Sequence, residues 1–166
     1  MKDSRINWTA GEQVGRKNMY DSYQDLIDGL YATPVIVAVL VHQAGKREAK
    51  PADGWSALEI VCHMRDVEER ALERMRAMRD QKDAFLPAYD QEAWREERNY
   101  ASADIQEALQ AFQHFRAQHI ADLSALPVEM WQRTGQHEEL GQIDIFHHTL
   151  HIVSHDAIHT AQIARL

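Results

Sequence analysis

Long stretches of this chain repeat apolar residues at intervals of three and four, the spacing of one helix face. The first such stretch covers Asp21–Leu30 and is interrupted near Thr33-Pro34. Thr33 is a good N-cap and Pro34 a good first-turn residue, so the pattern predicts a second piece, Pro34–Gln43, continuing with a kink. A polar connection, Ala44–Gly54, follows. Ser56 then opens the next helix, with Glu59 three residues on in a capping-box arrangement. Its apolar stripe is Ile60, Met64, Val67, Ala71, Met75 and Met78, which reads as a core face.

Between Asp80 and Tyr100 the chain is polar and aromatic and contains Pro87, which predicts a long crossover with one short helix. A third helix is expected from about Ala103 to Leu126, capped by Ser102. Its stripe, Ile105, Leu109, Phe112, Arg116, His119, Leu123 and Leu126, carries two polar residues at its middle. A loop with Pro127, Trp131, Gly135 and Gly141 leads to a last helix over about Ile143–Leu166. That helix is apolar around most of its circumference, as expected of a central element. No strand-like alternation and no solenoid-length repeat is present. The pattern predicts an all-α fold: a four-helix bundle with a kinked first helix and a long crossover.

At 166 residues the chain fits one domain, 1–166, with residues 1–20 as a lead-in. The opening residues MKDSRINWTAGEQVGRK have no apolar run of a secretory signal, and the longest apolar run, Val35–Val41, is too short to span a bilayer. A lone cysteine, Cys62, permits no intrachain disulfide and is compatible with the cytoplasm. The net charge is −8, without a Lys/Arg stripe interleaved with aromatics. Nucleic acid is therefore a poor partner, and a small molecule a better one.

The last helix carries His151, His155 and His159 at every fourth position, with His148 three residues before them. Residues four apart on a helix stack with Cβ atoms roughly 5–6 Å apart, close enough to share a transition-metal ion. His155 and His159 would supply two ligands. A third must come from another helix, and His63, at the edge of the second helix's stripe, is the best placed. Three ligands with an open position suit a catalytic rather than a structural ion. No Glu lies between His155 and His159, so this is not the H-E-x-x-H arrangement of metalloproteases.

Trp55-Ser56 before a helix bearing His63 in CHMRDVE, then GQHEELG, then HIVSHDAIHTAQI resembles the DinB/YfiT-like group of metal-dependent hydrolases and thiol transferases. The resemblance runs from about Leu26 to the C-terminus. It implies a bundle of up-up-down-down connectivity, often dimeric, that binds a divalent metal through His63, His155 and His159. Zinc or nickel is the implied metal, with iron or manganese as alternatives. The implied chemistry is attack of a low-molecular-weight thiol, such as bacillithiol or mycothiol, or of water on a small electrophile; the short apolar runs separately predict no membrane partner. The rival expectation is a non-catalytic, metal-stabilised bundle acting in dimerisation or in stress or metal sensing.

His151 is expected at the wall of the site rather than as a ligand. Arg116 has two readings: pairing with a buried carboxylate, or facing the cavity as an anchor for a substrate carboxylate or phosphate. Arg116 and His151 are therefore the catalytic candidates. Trp55 is a candidate pocket wall. Asp66, Glu69, Asp156 and Gln162 are candidates to accept the N–H of a ligand imidazole. Cys62 is expected to be a small buried residue, and His42, His114, His137 and His147 surface residues.

Overall fold

A computed structural model describes residues 19–43, 50–51 and 54–166, so most of the predicted lead-in and of the polar connection 44–54 lies outside it. Four long helices dominate: α1 (Met19–Gln43), α2 (Ala57–Asp80), α4 (Ile105–Ser124) and α5 (Ile145–Arg165), with a short α3 (Gln91–Glu97) in the crossover. Helix α2 packs mainly on α4 and α1 on α5, and α1–α4 and α2–α5 contacts close the bundle. The all-α four-helix bundle expected from the apolar periodicity is the fold.

Helix α2 begins as the sequence predicts. Glu59 N–H donates to Ser56 Oγ at 3.2 Å and Ser56 N–H donates to Glu59 Oε2 at 2.8 Å. All six residues of the predicted stripe are buried. Helix α1 differs from expectation, because it runs through Pro34 without breaking into two pieces. Thr33 is not an N-cap; its hydroxyl donates to the Gly29 carbonyl, 3.2 Å away on the preceding turn. Helix α4 starts later than predicted. Asp104, not Ser102, caps it, accepting from the N–H groups of Gln106 and Glu107.

The crossover and the loop before α5 contain three short strands that the sequence reading did not anticipate. Strand β1 (Ala84–Leu86) pairs in parallel with β2 (Thr134–His137), which pairs antiparallel with β3 (Gly141–Asp144). Helix α5 consequently begins at Ile145, capped by Asp144, rather than at Ile143. It is also less enclosed than its composition suggested, since Leu150 and Ile158 are 41% and 58% exposed.

Among the described residues one helix, Ser22–His42 within α1, is long and apolar enough to cross a membrane, with mean hydropathy 1.5. Its residues Tyr23, Leu26, Leu30, Val37 and Val41 are instead buried in the bundle.

The buried apolar residues form two clusters, which meet at Met64 and Val67 on α2 and are separated at one level on α1, α4 and α5. One cluster holds Leu30, Val67, Leu123 and Ile152; the other holds Val37, Met64, Phe112 and Ile163. Between these residues lie Thr33 and Pro34 on α1, Arg116 and His119 on α4, and His155, Asp156 and His159 on α5. A polar layer therefore crosses the middle of the core, where unpaired polar groups are costly.

Candidate metal centre

His63 reaches the polar layer from α2, and His155 and His159 from α5. The four-residue spacing on α5 stacks the latter two, with ring centroids 4.3 Å apart. His63 closes the cluster: its ring lies 5.0 Å from that of His155 and 4.8 Å from that of His159. The Nε2 atoms of His63 and His155 face each other at 3.0 Å. One ligand nitrogen from each of the three rings lies within 4.8 Å of the others, and among the described residues only these three form such a group.

Burial keeps the rings of His63 and His159 neutral, the form that can ligate a metal. Desolvation, and then the neighbouring His155 and His159, push the His63 pKa down to about 3. Desolvation, followed by the charge of His155, pushes His159 down to about 4. Gln162 fixes the tautomer of His159: its Oε1 can only accept, so Nδ1–H donates to it at 2.7 Å and Nε2 carries the lone pair. The Nδ1 atoms of His63 and His155 have no hydrogen-bond partner among the described residues. His155 Nδ1 stands 4.0 Å from Asp156 Oδ1, just beyond reach. The three imidazoles could hold a cation between them, and they are a donor set that zinc, nickel, iron or copper accepts.

The centre has an open side. His159 and Gln162 line a cavity of about 450 Å³ together with Trp55, Ile60, Gln91 and Arg165. The Trp55 ring meets that of His63 edge-on at 5.1 Å. His151 stays outside the cluster, its ring 6.5 Å from that of His155, and lines a second cavity of about 300 Å³. Gln91 borders both cavities, so the histidine row of α5 runs from one to the other.

Arg116 faces neither cavity. It is 1% exposed and donates to Glu68 Oε2 and Asp156 Oδ2, both at 2.7 Å. Of its two readings, the buried carboxylate pair is the one the fold adopts, and the substrate-anchor reading is overturned by that enclosure. Burial alone would raise the Glu68 pKa, but Arg116 and then His119 outweigh it and hold the group near about 2. His119 Nδ1 pairs with the second Glu68 oxygen at 2.8 Å. Asp156, the neighbour of His155, thus belongs to a network that joins α2, α4 and α5 behind the histidine cluster.

Asp66 and Glu69 do not support a ligand histidine. Asp66 accepts from Arg65 and Tyr100, both at 2.6 Å, and pairs with Arg98, which also reaches Glu69. Glu68 was the missed residue, although it sits four after Met64 and three before Ala71, on the buried stripe. Cys62 is fully buried, and desolvation raises its pKa to about 11, which makes it a packing residue. His42, His114 and His147 are exposed as expected. His137 is not: it is 5% exposed and held in β2.

The family model described as the DinB superfamily matches residues 16–163. Among solved structures, the fold is similar to that of YfiT from Bacillus subtilis, described as a probable metal-dependent hydrolase with an unusual four-helix bundle topology. The TM-score is 0.74 at 19% sequence identity, over 96% of this chain and 93% of that one. No curated protein sequence matches the chain.

Proposed function

The chain belongs to the DinB superfamily, and on that premise we propose that it is a metal-dependent enzyme acting on a small electrophilic substrate. His63, His155 and His159 are the ligands in this reading, and zinc or nickel is the ion. The observation that carries it is the convergence of three desolvated imidazoles, two with Nε2 atoms 3.0 Å apart, beside a cavity of about 450 Å³. A bound divalent ion would supply a lowered pKa for a thiol or water and electrostatic stabilisation of developing negative charge. The description of YfiT as a probable metal-dependent hydrolase supports the same class.

The chain's own residues do the rest. Gln162 holds the His159 ring with its lone pair outward. Trp55 packs on His63 and narrows the approach from solvent. Arg165, at the cavity wall, offers a cation to an anionic substrate or thiol. A low-molecular-weight thiol is the nucleophile we favour, with water as the alternative that makes the protein a hydrolase. Three ligands beside a cavity, with His151 outside the cluster, weigh against the non-catalytic, metal-stabilised bundle.

His155→Ala or His159→Ala should remove about one equivalent of tightly bound divalent metal. Unchanged metal content in both variants ends the reading. Metal-loaded protein incubated with electrophiles, with and without cellular thiols, then separates transferase from hydrolase. A homodimer and a cytoplasmic setting belong to the same proposal. Exposed Tyr31, Val35, Ile36 and Val39 on α1 support a second copy as partner, and sedimentation as a monomer removes that part.

A further inference from the structure

We infer that the cavity beside His151 is a binding site for an oxyanion, a carboxylate or phosphate group, held by Arg74. Among the described residues two arginines are buried, and they are treated differently. Arg116 is matched by Glu68 and Asp156. Arg74, only 8% exposed, donates through Nη2 to the Pro87 carbonyl, and its Nε has no partner among the described residues. No described carboxylate forms an ion pair with it. Burying a guanidinium without an ion-paired carboxylate is costly, and the cost is recovered when an anion enters from outside.

The surroundings fit such a ligand. Arg74 lines a cavity of about 300 Å³ with Tyr89, His137, His148 and His151. His137 Nδ1 accepts from the backbone N–H groups of Glu139 and Leu140, both at 3.2 Å. Its proton therefore sits on Nε2, a second donor on a side chain that is itself buried. His148 donates from Nε2 to the Ala71 carbonyl and is not available. The Tyr89 ring lies under the Arg74 guanidinium at 5.4 Å and holds it in place. Glu139, at the mouth, is exposed; its charge acts on Arg74 without forming an ion pair. Desolvation and then the Arg74 charge lower the His137 pKa, against the opposing charges of Glu139 and Glu138.

The site adjoins the histidine cluster, since His151 precedes His155 by one helical turn. That the anion is part of the substrate rests on the proposed function; the anion site itself does not. The substrate class that follows is a small molecule with a carboxylate or phosphate on one side of its reacting carbon.

The test is calorimetric titration of metal-free protein with succinate and, separately, inorganic phosphate. Saturable one-site binding of either probe is expected, weakened roughly 10- to 100-fold in Arg74→Gln. Arg74→Lys, which keeps the charge but not the fork, should retain part of the affinity. The probe that binds assigns carboxylate or phosphate. Binding of neither probe, or equal binding by folded Arg74→Gln, overturns the inference. Should that variant fail to fold, the wild-type His137 imidazole resonance decides: a shift on titration supports the site, and no shift overturns it. Zinc stoichiometry on separate samples keeps the metal reading distinct, because a protein that takes up zinc and neither anion sinks this inference alone.

Discussion

The guanidinium of Arg116 donates to the carbonyl of Leu30 at 3.0 Å. Leu30 lies four residues before Pro34, which has no N–H, so helix α1 leaves that acceptor open and α4 supplies its donor. Arg116 thus explains how α1 passes through proline, while it also pairs with Glu68 and Asp156. Arg116→Met should cost about 3–5 kcal/mol, because two buried carboxylates lose their counter-charge. In a Pro34→Ala background the Leu30 carbonyl regains an intrahelical donor, and the loss should shrink by about 1 kcal/mol. Urea unfolding of the four proteins measures both numbers; purely additive costs would separate Arg116 from the proline.

Gln162 holds the Nδ1–H of His159 at 2.7 Å and so decides which nitrogen faces the cluster. Gln162→Leu should keep one metal per chain but weaken its affinity about 10- to 100-fold. Competition with a chelator of known affinity reads this directly. An affinity equal to wild type would mean that the cluster orients His159 without help.

His148 gives the metal-free protein a pH-dependent stability. Burial, and then the nearby His119, lower its pKa from 6.5 to about 3. The unfolded chain takes up a proton as pH falls through 6.5, and the folded protein resists it. The stabilisation is therefore present above the unfolded value and is lost on acidification, at about 1.4 kcal/mol per pH unit for this group. His148→Leu should flatten the decline in urea midpoint between about pH 6.5 and 4.5. Parallel declines for variant and wild type would place the sensitivity elsewhere.

What the sequence disclosed follows from what periodicity can carry. The stripe of α2, that of α4 as far as Leu123, the Ser56–Glu59 cap and the histidine spacing on α5 are local and are found as read, whereas Leu126 falls beyond the end of α4 and is only half-buried. His63 could be picked because it flanks a strong stripe. The partners of Arg116 could not be read so simply: Glu68 and Asp156 lie 48 and 40 residues away from it, on other helices. Asp104 displaced Ser102 as a cap because both residues offer a side-chain acceptor, and only the register of α4 decides between them. The sheet was invisible because its strands span three or four residues, too short for alternation to register.

That sheet makes its own prediction, through Gly135. The residue pairs with Ala84 on one side and Ile143 on the other, at the centre of the three strands. A Cβ there would meet Leu86 Cδ1 at 2.9 Å and Met78 Cγ at 3.0 Å, and both side chains are fully buried. Gly135→Ala must push them apart, at a cost of about 1–3 kcal/mol. Gly141 provides the contrast. It needs its glycine for φ +76 rather than for space, since nothing lies within 4 Å of a Cβ built there. Gly141→Asn should be nearly neutral, because asparagine tolerates the left-handed region. The consequence of Gly135→Ala reaches the site. Strands β1 and β2 carry Leu86, whose neighbour Pro87 accepts from Arg74, and His137 on the cavity wall. A variant that loses stability, and with it succinate or phosphate binding, while its zinc content is unchanged ties the sheet to the Arg74 cavity and not to the three histidines.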